Sequence, residues 1–183
     1  MKPLRPNVAT LVVLGALAVV VAVSRHRRAA PPPAQAPVAA TPTPVPGKLV
    51  LFFPGDDTLL HREAREVPEI PAGVPARIRL VMEELAAGSR EGLAPALPWS
   101  ATVQAVFLDK EGNAYVDLSP PPPETIAGAD VELAVAYATV NSVVANCPGV
   151  ERVQLLLGGR EVATLGHLDL GRPLPPNLEL VAP

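Results

Sequence analysis

Two histidines, four serines, one cysteine and a scatter of carboxylates are the residues of this 183-residue chain that could do chemistry beyond its basic N-terminal stretch. Their spacing decides what is open to them. His61 and His167 stand far apart, and neither has a His or Cys partner at the short spacings that gather metal ligands. None of Ser89, Ser100, Ser119 and Ser142 sits in a G-x-S-x-G elbow, and Gly158-Gly159 suits a turn better than a phosphate cradle. Paired carboxylates are what glycoside hydrolysis requires, and Glu63 with Asp117 is the pair the sequence offers. Glu63, however, lies two positions from Arg65, where a structural ion pair is expected, while Asp117 and Asp169 are of the type that holds backbone turns. No mutually supporting catalytic set emerges, so the expectation is a protein that is not an enzyme and holds no metal or cofactor. Cys147, just before Pro148-Gly149, reads as a small buried apolar residue, and a lone cysteine cannot form an internal disulfide.

These residues must be positioned by a chain of three unlike parts. The first 47 residues contain no Asp or Glu and carry a charge of +5. Within residues 1–28, Val8–Val23 is an unbroken run dominated by Val, Leu and Ala, with Lys2 and Arg5 before it and Arg25, Arg27 and Arg28 after it. Sixteen helical residues span roughly 24 Å, short of a ~30 Å hydrocarbon core, and flanking Lys and Arg side chains can reach the interfaces to close the gap. A cleaved signal would have small neutral residues where the arginines stand, so a retained single-pass anchor is expected. Lys and Arg nearly balance across the span, and that balance alone leans towards a cytoplasmic head. The composition of the following segment, residues 29–47, argues instead for a head outside: seven prolines among Ala, Thr and Val favour an extended extracytoplasmic linker.

Residues 48–183 hold 10 basic and 18 acidic residues, a net of −8 in a length that suits one domain. So acidic a head, with no Lys/Arg stripe, is not expected to bind nucleic acid. Lys48–Phe53 reads as a strand stopped by Pro54-Gly55, and residues 58–74 as irregular. Pro75 starts a helix whose Ile78, Val81, Met82 and Leu85 share one face before Gly88 ends it. Thr102–Leu108 and Asn113–Leu118 flank a Gly-ended turn as a hairpin, which Pro120–Pro123 terminates. Asp130 is placed to cap a long helix with Leu133, Ala136, Tyr137, Val140 and Val144 on its buried face. Arg152–Leu157 and Arg160–Leu165 around Gly158-Gly159 form the last hairpin. The order β-α-β-β-α-β-β predicts an α+β fold with two helices on one face of a largely antiparallel sheet, preceded by one N-terminal transmembrane helix.

In order along the head, several pieces resemble the GerMN domain of sporulation and spore germination proteins. Leu49–Pro54 (LVLFFP) is similar to its opening strand and Leu60–Val67 (LHREAREV) to its acidic-then-Arg segment. Ile78–Gly88 followed by Leu97–Val103 resembles the helix and turn that come next, with Ser100-Ala101 where the family has a Gly. Asn113–Ser119 (NAYVDLS), Glu132, Thr139–Val143 (TVNSV), Pro148–Leu157 (PGVERVQLLL) and Gly166–Leu174 (GHLDLGRPL) complete the match in a single copy. The resemblance implies a non-catalytic extracytoplasmic module, related in fold to ring-building domains of membrane complexes, that binds an envelope protein or self-associates.

Two functions compete on these grounds. One is assembly, through exposed sheet edges that invite strand-to-strand docking. The other is binding of a small ligand or cell-wall component in a cleft between residues 54–74 and Gly166–Leu174. His61, Glu63, Arg65, His167, Asp169 and Arg172 then form the candidate surface, against the plainer reading that they are solvated loop residues.

Overall fold

The computed structural model describes residues 46–123, 125, 126 and 128–183. The expected span Val8–Val23, and all of the proline-rich stretch before Pro46, lie outside them. Among the described residues no helix is long and apolar enough to cross a membrane.

The strands and helices follow as β1 (Gly47–Pro54), β2 (Leu60–Val67), α1 (Val74–Ala86), β3 (Val103–Leu108), β4 (Asn113–Leu118), α2 (Ala129–Asn146), β5 (Arg152–Leu157) and β6 (Arg160–Glu161), with a last 3-10 turn at Leu178–Leu180. The class is α+β, but the strands form two sheets rather than one. β1 and β2 make an antiparallel pair, and β3-β4-β5-β6 form a four-stranded sheet in that order. Within it β4 and β5 run parallel, joined through α2, while the β3–β4 and β5–β6 pairs are antiparallel.

α1 forms as its apolar spacing requires. Pro75 occupies the first turn, where its missing N–H costs nothing, and Ile78, Val81, Met82 and Leu85 are all buried. Two corrections concern the other regions. Residues 60–67, expected to be irregular, form β2, paired along its length with β1. Arg160–Leu165, expected as a strand, contributes only Arg160–Glu161 to the sheet. Gly158 (φ 60°) and Gly159 (φ 75°) do supply the left-handed turn before it. Beyond Glu161 the chain leaves the ladder, drawn to a carboxylate on α2.

α2 organises the head. Asp130 does not cap it; Gly128 holds the N-cap position, and Asp130 and Glu132 lie in the first turn. Its buried residues include Val135, Ala136, Ala138, Val140 and Val143 but also Thr139, Asn141 and Ser142, whereas Leu133, Tyr137 and Val144 are only half-buried. Asn141, Ser142 and the half-buried Asn146 bond to neighbouring backbone, whereas the Thr139 hydroxyl has no partner among the described residues. Asn146 accepts from the Val50 N–H at 2.9 Å and donates to the Val50 carbonyl at 2.7 Å, and Ser142 Oγ accepts from the Phe52 N–H at 3.0 Å. α2 therefore satisfies the edge of β1 turned away from β2 as a further strand would. Asn141 repeats the device on the C-terminal segment, taking the Asn177 N–H at 2.9 Å and giving to its carbonyl at 3.0 Å.

Among the described residues the core runs from Leu49 to Val181, within the compact unit Thr43–Pro183. Leu49, Leu51 and Phe53 of β1 are completely buried, each worth about 1.5–3 kcal/mol of transfer free energy. Cys147 joins them, its thiol pushed up to about 11 by burial.

Replacing Asn146 by Ala strands a backbone donor and a backbone acceptor of Val50. Urea unfolding of residues 43–183 is expected to show a loss of roughly 2 kcal/mol, about one unmet hydrogen bond per group. A loss within a few tenths would mean that water serves that edge equally well.

Candidate functional site

The sequence-derived candidates fall into two groups, and no hydrogen bond or ion pair joins them among the described residues. His61, Glu63 and Arg65 alternate along β2 on one face; His167, Asp169 and Arg172 lie on the closing segment.

Glu63 and Arg65 are each only 1% exposed, so they offer no surface to a ligand. They form a buried ion pair with each other. The Arg65 guanidinium also donates to the Glu84 carbonyl at 2.8 Å, the Glu84 carboxylate at 3.2 Å and the Gly88 carbonyl at 2.9 Å, and lies over the Phe53 ring. These carbonyls belong to the end of α1, where the last turn has no intrahelical donors left. Glu63 receives the Ser89 hydroxyl at 2.6 Å and the Arg90 N–H at 3.0 Å. The pair therefore staples β2 to the end of α1 and the loop after it. Burial pushes the Glu63 carboxyl up, but the Ser89 hydroxyl, the Arg65 guanidinium and the Arg90 N–H outweigh it and hold the pKa below its ordinary value.

Glu132 is a second buried carboxylate of the same design, in the first turn of α2. It receives the Leu165 N–H at 2.7 Å, the His167 N–H at 2.6 Å and the Thr164 hydroxyl at 3.3 Å. Burial again raises its pKa, and the N–H groups of His167, Leu168 and Leu165 reverse that and lower it. This is what pulls residues 162–165 out of the expected strand. Asp117 accepts from the Gly159 N–H at 2.9 Å and Asp169 from the Gly171 N–H at 3.0 Å, so both hold turns as their type suggested.

The candidates open to solvent are the half-buried His61 and the exposed His167, Asp169 and Arg172. His61 bonds Asp57 at 2.9 Å across the β1–β2 turn, and Arg172 pairs with Asp169 at 3.1 Å in solvent. Exposed pairs of this kind add little to stability. Among the described residues no group of three His, Cys, Asp or Glu side chains is placed to hold a metal ion.

Two surface features remain. The first is a cleft of about 370 Å³. It shares its Pro54–Leu60 wall with the expected one, but its other walls are the loop 94–98, the first turns of α2 and Leu180, not Gly166–Leu174. No sequence signal marked it: Val131 and Ala134 look like core, and only the structure shows them half-buried. The second is the outer edge of β3. Phe107 is 60% exposed and Leu108 40%. Asp109 donates its N–H to the Asn113 carbonyl, so by the alternation of an antiparallel ladder Val106 and Leu108 turn their N–H and C=O groups outwards.

The chain matches the family described as sporulation and spore germination (Germane) over residues 50–163. No curated protein matches it. Among solved structures, the tandem GerMN domains of the sporulation protein GerM from Bacillus subtilis share 16% identity with a TM-score of 0.55, the match covering 72% of this chain and 46% of that one. The first GerMN domain of the same protein gives 16% identity and a TM-score of 0.46, covering 70% and 93%. A Clostridium perfringens protein provisionally named a lipoprotein gives 22% identity and a TM-score of 0.49, covering 72% and 87%. This chain thus spans under half of the tandem GerM structure.

Two predictions follow from the buried carboxylates. Arg65→Met leaves Glu63 buried without its partner and is expected to cost about 3–5 kcal/mol in urea unfolding, whereas Glu63→Leu with Arg65→Met costs less than that single change. A double variant no more stable than Arg65→Met overturns the ion-pair account. The pKa values of Glu63 and Glu132 are lowered on folding, so their contribution is complete above the unfolded value of 4.5 and is lost as pH falls through the folded values. The urea midpoint should therefore fall as pH is lowered from about 5.5 to 3, and Glu132→Gln should make that fall shallower. An unchanged slope would show that Glu132 does not supply it.

Proposed function

The chain belongs to the sporulation and spore germination family, and from that premise we propose that it is a non-catalytic, membrane-tethered extracytoplasmic module for protein–protein interaction or assembly in the cell envelope. Val8–Val23 is the tether and the proline-rich segment the spacer.

The outer edge of β3 is the observation that carries this reading. Unpaired strand edges recruit further strands, so folded proteins close most of them. Here α2 closes β1, β6 is only two residues long, and the outer edge of β2 is met by Ala182 at Leu60 and carries the charged Arg62 and Glu66, which deter a docking strand. At β3 the Arg79 guanidinium covers the carbonyls of Val103 and Gln104, at 3.0 and 3.4 Å. The Val106–Leu108 half carries no such cover and sets a large aromatic ring beside its free peptide groups. A strand added there, from a second copy or an envelope partner, would gain main-chain hydrogen bonds and bury Phe107. The net charge of −8 on residues 48–183 favours a basic partner and holds the head off anionic headgroups.

Photo-crosslinking tests the edge directly. Benzoylphenylalanine at position 107 of the full chain in its native envelope should give a discrete adduct, of twice the chain mass if the partner is a second copy. The same group at Glu69 should give none. Phe107→Lys on residues 43–183 should abolish any concentration-dependent mass seen by light scattering. Equal crosslinking at 107 and 69, or protection of the head from protease added to intact spheroplasts, would overturn the reading.

A further inference from the structure

We propose that the cleft between the β1–β2 turn, loop 94–98 and the start of α2 is a binding site for a compact aliphatic group that carries a positive charge. The site is separate from the β3 edge and goes beyond the assembly reading. Its volume, about 370 Å³, lies at the lower end of the range of small-ligand sites. Its walls are aliphatic, with Pro54, Leu60, Ala96, Val131, Ala134 and Leu180 among them, and no aromatic ring contributes. An aliphatic chain fits such walls, whereas a flat ring finds nothing to stack on.

Charge fixes the other half of the specificity. Thr58 and Asp130 are the polar side chains of the lining, and neither hydrogen-bonds or ion-pairs with any described residue. The remaining carboxylates of the head that matter to the fold are engaged: Glu63, Asp117 and Glu132 are buried on N–H groups. Among the described residues Asp130 has no partner, and it lines an apolar cleft whose walls contain no Lys or Arg. The turn that supplies Thr58 also carries Asp56, while Asp57 is engaged by His61, so the negative charge of the lining itself is that of Asp130. An anion is repelled there, a neutral alkyl group gains only burial, and a cation gains both burial and Asp130. Thr58 sits at φ 66°, a left-handed conformation that costs a β-branched residue energy, and it holds its side chain at this cleft. The same chemistry is presented by a free alkylamine and by a Leu-Lys stretch of a peptide.

Three probes with one alkyl chain separate the terms: hexylammonium, hexanol and hexanoate, titrated into ¹⁵N-labelled residues 43–183 and followed by amide shifts. Shifts confined to the cleft are expected, with affinity falling in that order. Asp130→Asn should weaken hexylammonium about five-fold, the factor returned by one exposed charge pair at roughly 4 Å, and leave hexanol unchanged. Ala134→Phe, which fills a half-exposed position, should remove binding of all three. Acetyl-Leu-Lys-amide displacing hexylammonium identifies a peptide source; binding of the amine alone identifies a free one. No shifts in the cleft, hexanol binding as well as hexylammonium, or an Asp130→Asn protein that binds hexylammonium normally would each overturn the proposal. Because Asp130 is exposed, that variant remains informative even if Ala134→Phe does not fold.

Discussion

The side chains of α2 do for the surrounding backbone what a neighbouring strand would do, and most of the head depends on it. Asn146 and Ser142 close the outer edge of β1, Asn141 holds Asn177, and Glu132 holds Leu165 and His167. Each bond meets a peptide group that would otherwise be desolvated without a partner, at roughly 1–3 kcal/mol apiece. A helix with a wholly apolar interior face could bury more area, but it would leave those groups unmet. This is why polar residues sit at buried positions of α2, and why one helix can bind two sheets that share no ladder.

The same logic, applied to charge, explains Glu63 and Arg65. Desolvating two ions costs several kcal/mol each, and their mutual attraction alone rarely recovers that. What tips the balance is the number of further partners: three acceptors in Glu84 and Gly88 for the guanidinium, and the Ser89 hydroxyl with the Arg90 N–H for the carboxylate. Gly88, at φ 83°, lets α1 turn off sharply enough to aim its carbonyl at Arg65. Only Nε of Arg65 goes without a partner. The acid-then-Arg pattern of β2 is therefore a joint between strand and helix, not an exposed binding surface.

That joint also explains which parts of the fold were legible in the sequence. α1 was readable because Ile78, Val81, Met82 and Leu85 repeat on one face, and both hairpin turns because their glycines lie where φ must be positive. β2 was not readable. Its inward face is His, Glu, Arg and Val, so the two-residue alternation of a half-buried strand is hidden when buried positions are charged. The buried face of α2 was legible only in part, at Ala136 and Val140: Asn141 and Ser142 resemble an outer face until their backbone partners are known, and Thr139 is buried without one. Of the candidate site, Asp117 and Asp169 were read rightly as turn holders. Glu63 and Arg65 were read rightly as a structural pair but wrongly also as surface. The cleft could not be read from spacing, because it joins residues near 55, 95, 130 and 180 that only the fold brings together.

The contrast between the closed edge of β1 and the open edge of β3 bears on how such a module would work if tethered to a membrane, as proposed. The head closes β1 with Asn146 and Ser142; at β3 it leaves Phe107 and Leu108 beside peptide groups that no described residue covers. An edge left open by oversight would be a liability for aggregation, more so in a protein concentrated by tethering to a surface. Arg79 limits that liability by masking the start of β3, so a docking strand can register only along Val106–Leu108. A short open edge of this kind forms few hydrogen bonds, so a single contact is weak. Tethering makes weakness tolerable, since a spacer that holds many heads in one plane raises their effective concentration without any new contact. On the proposed reading the acid-free arm and the acidic head have complementary tasks: the arm would keep the copies together, and the charge of the head would select what docks.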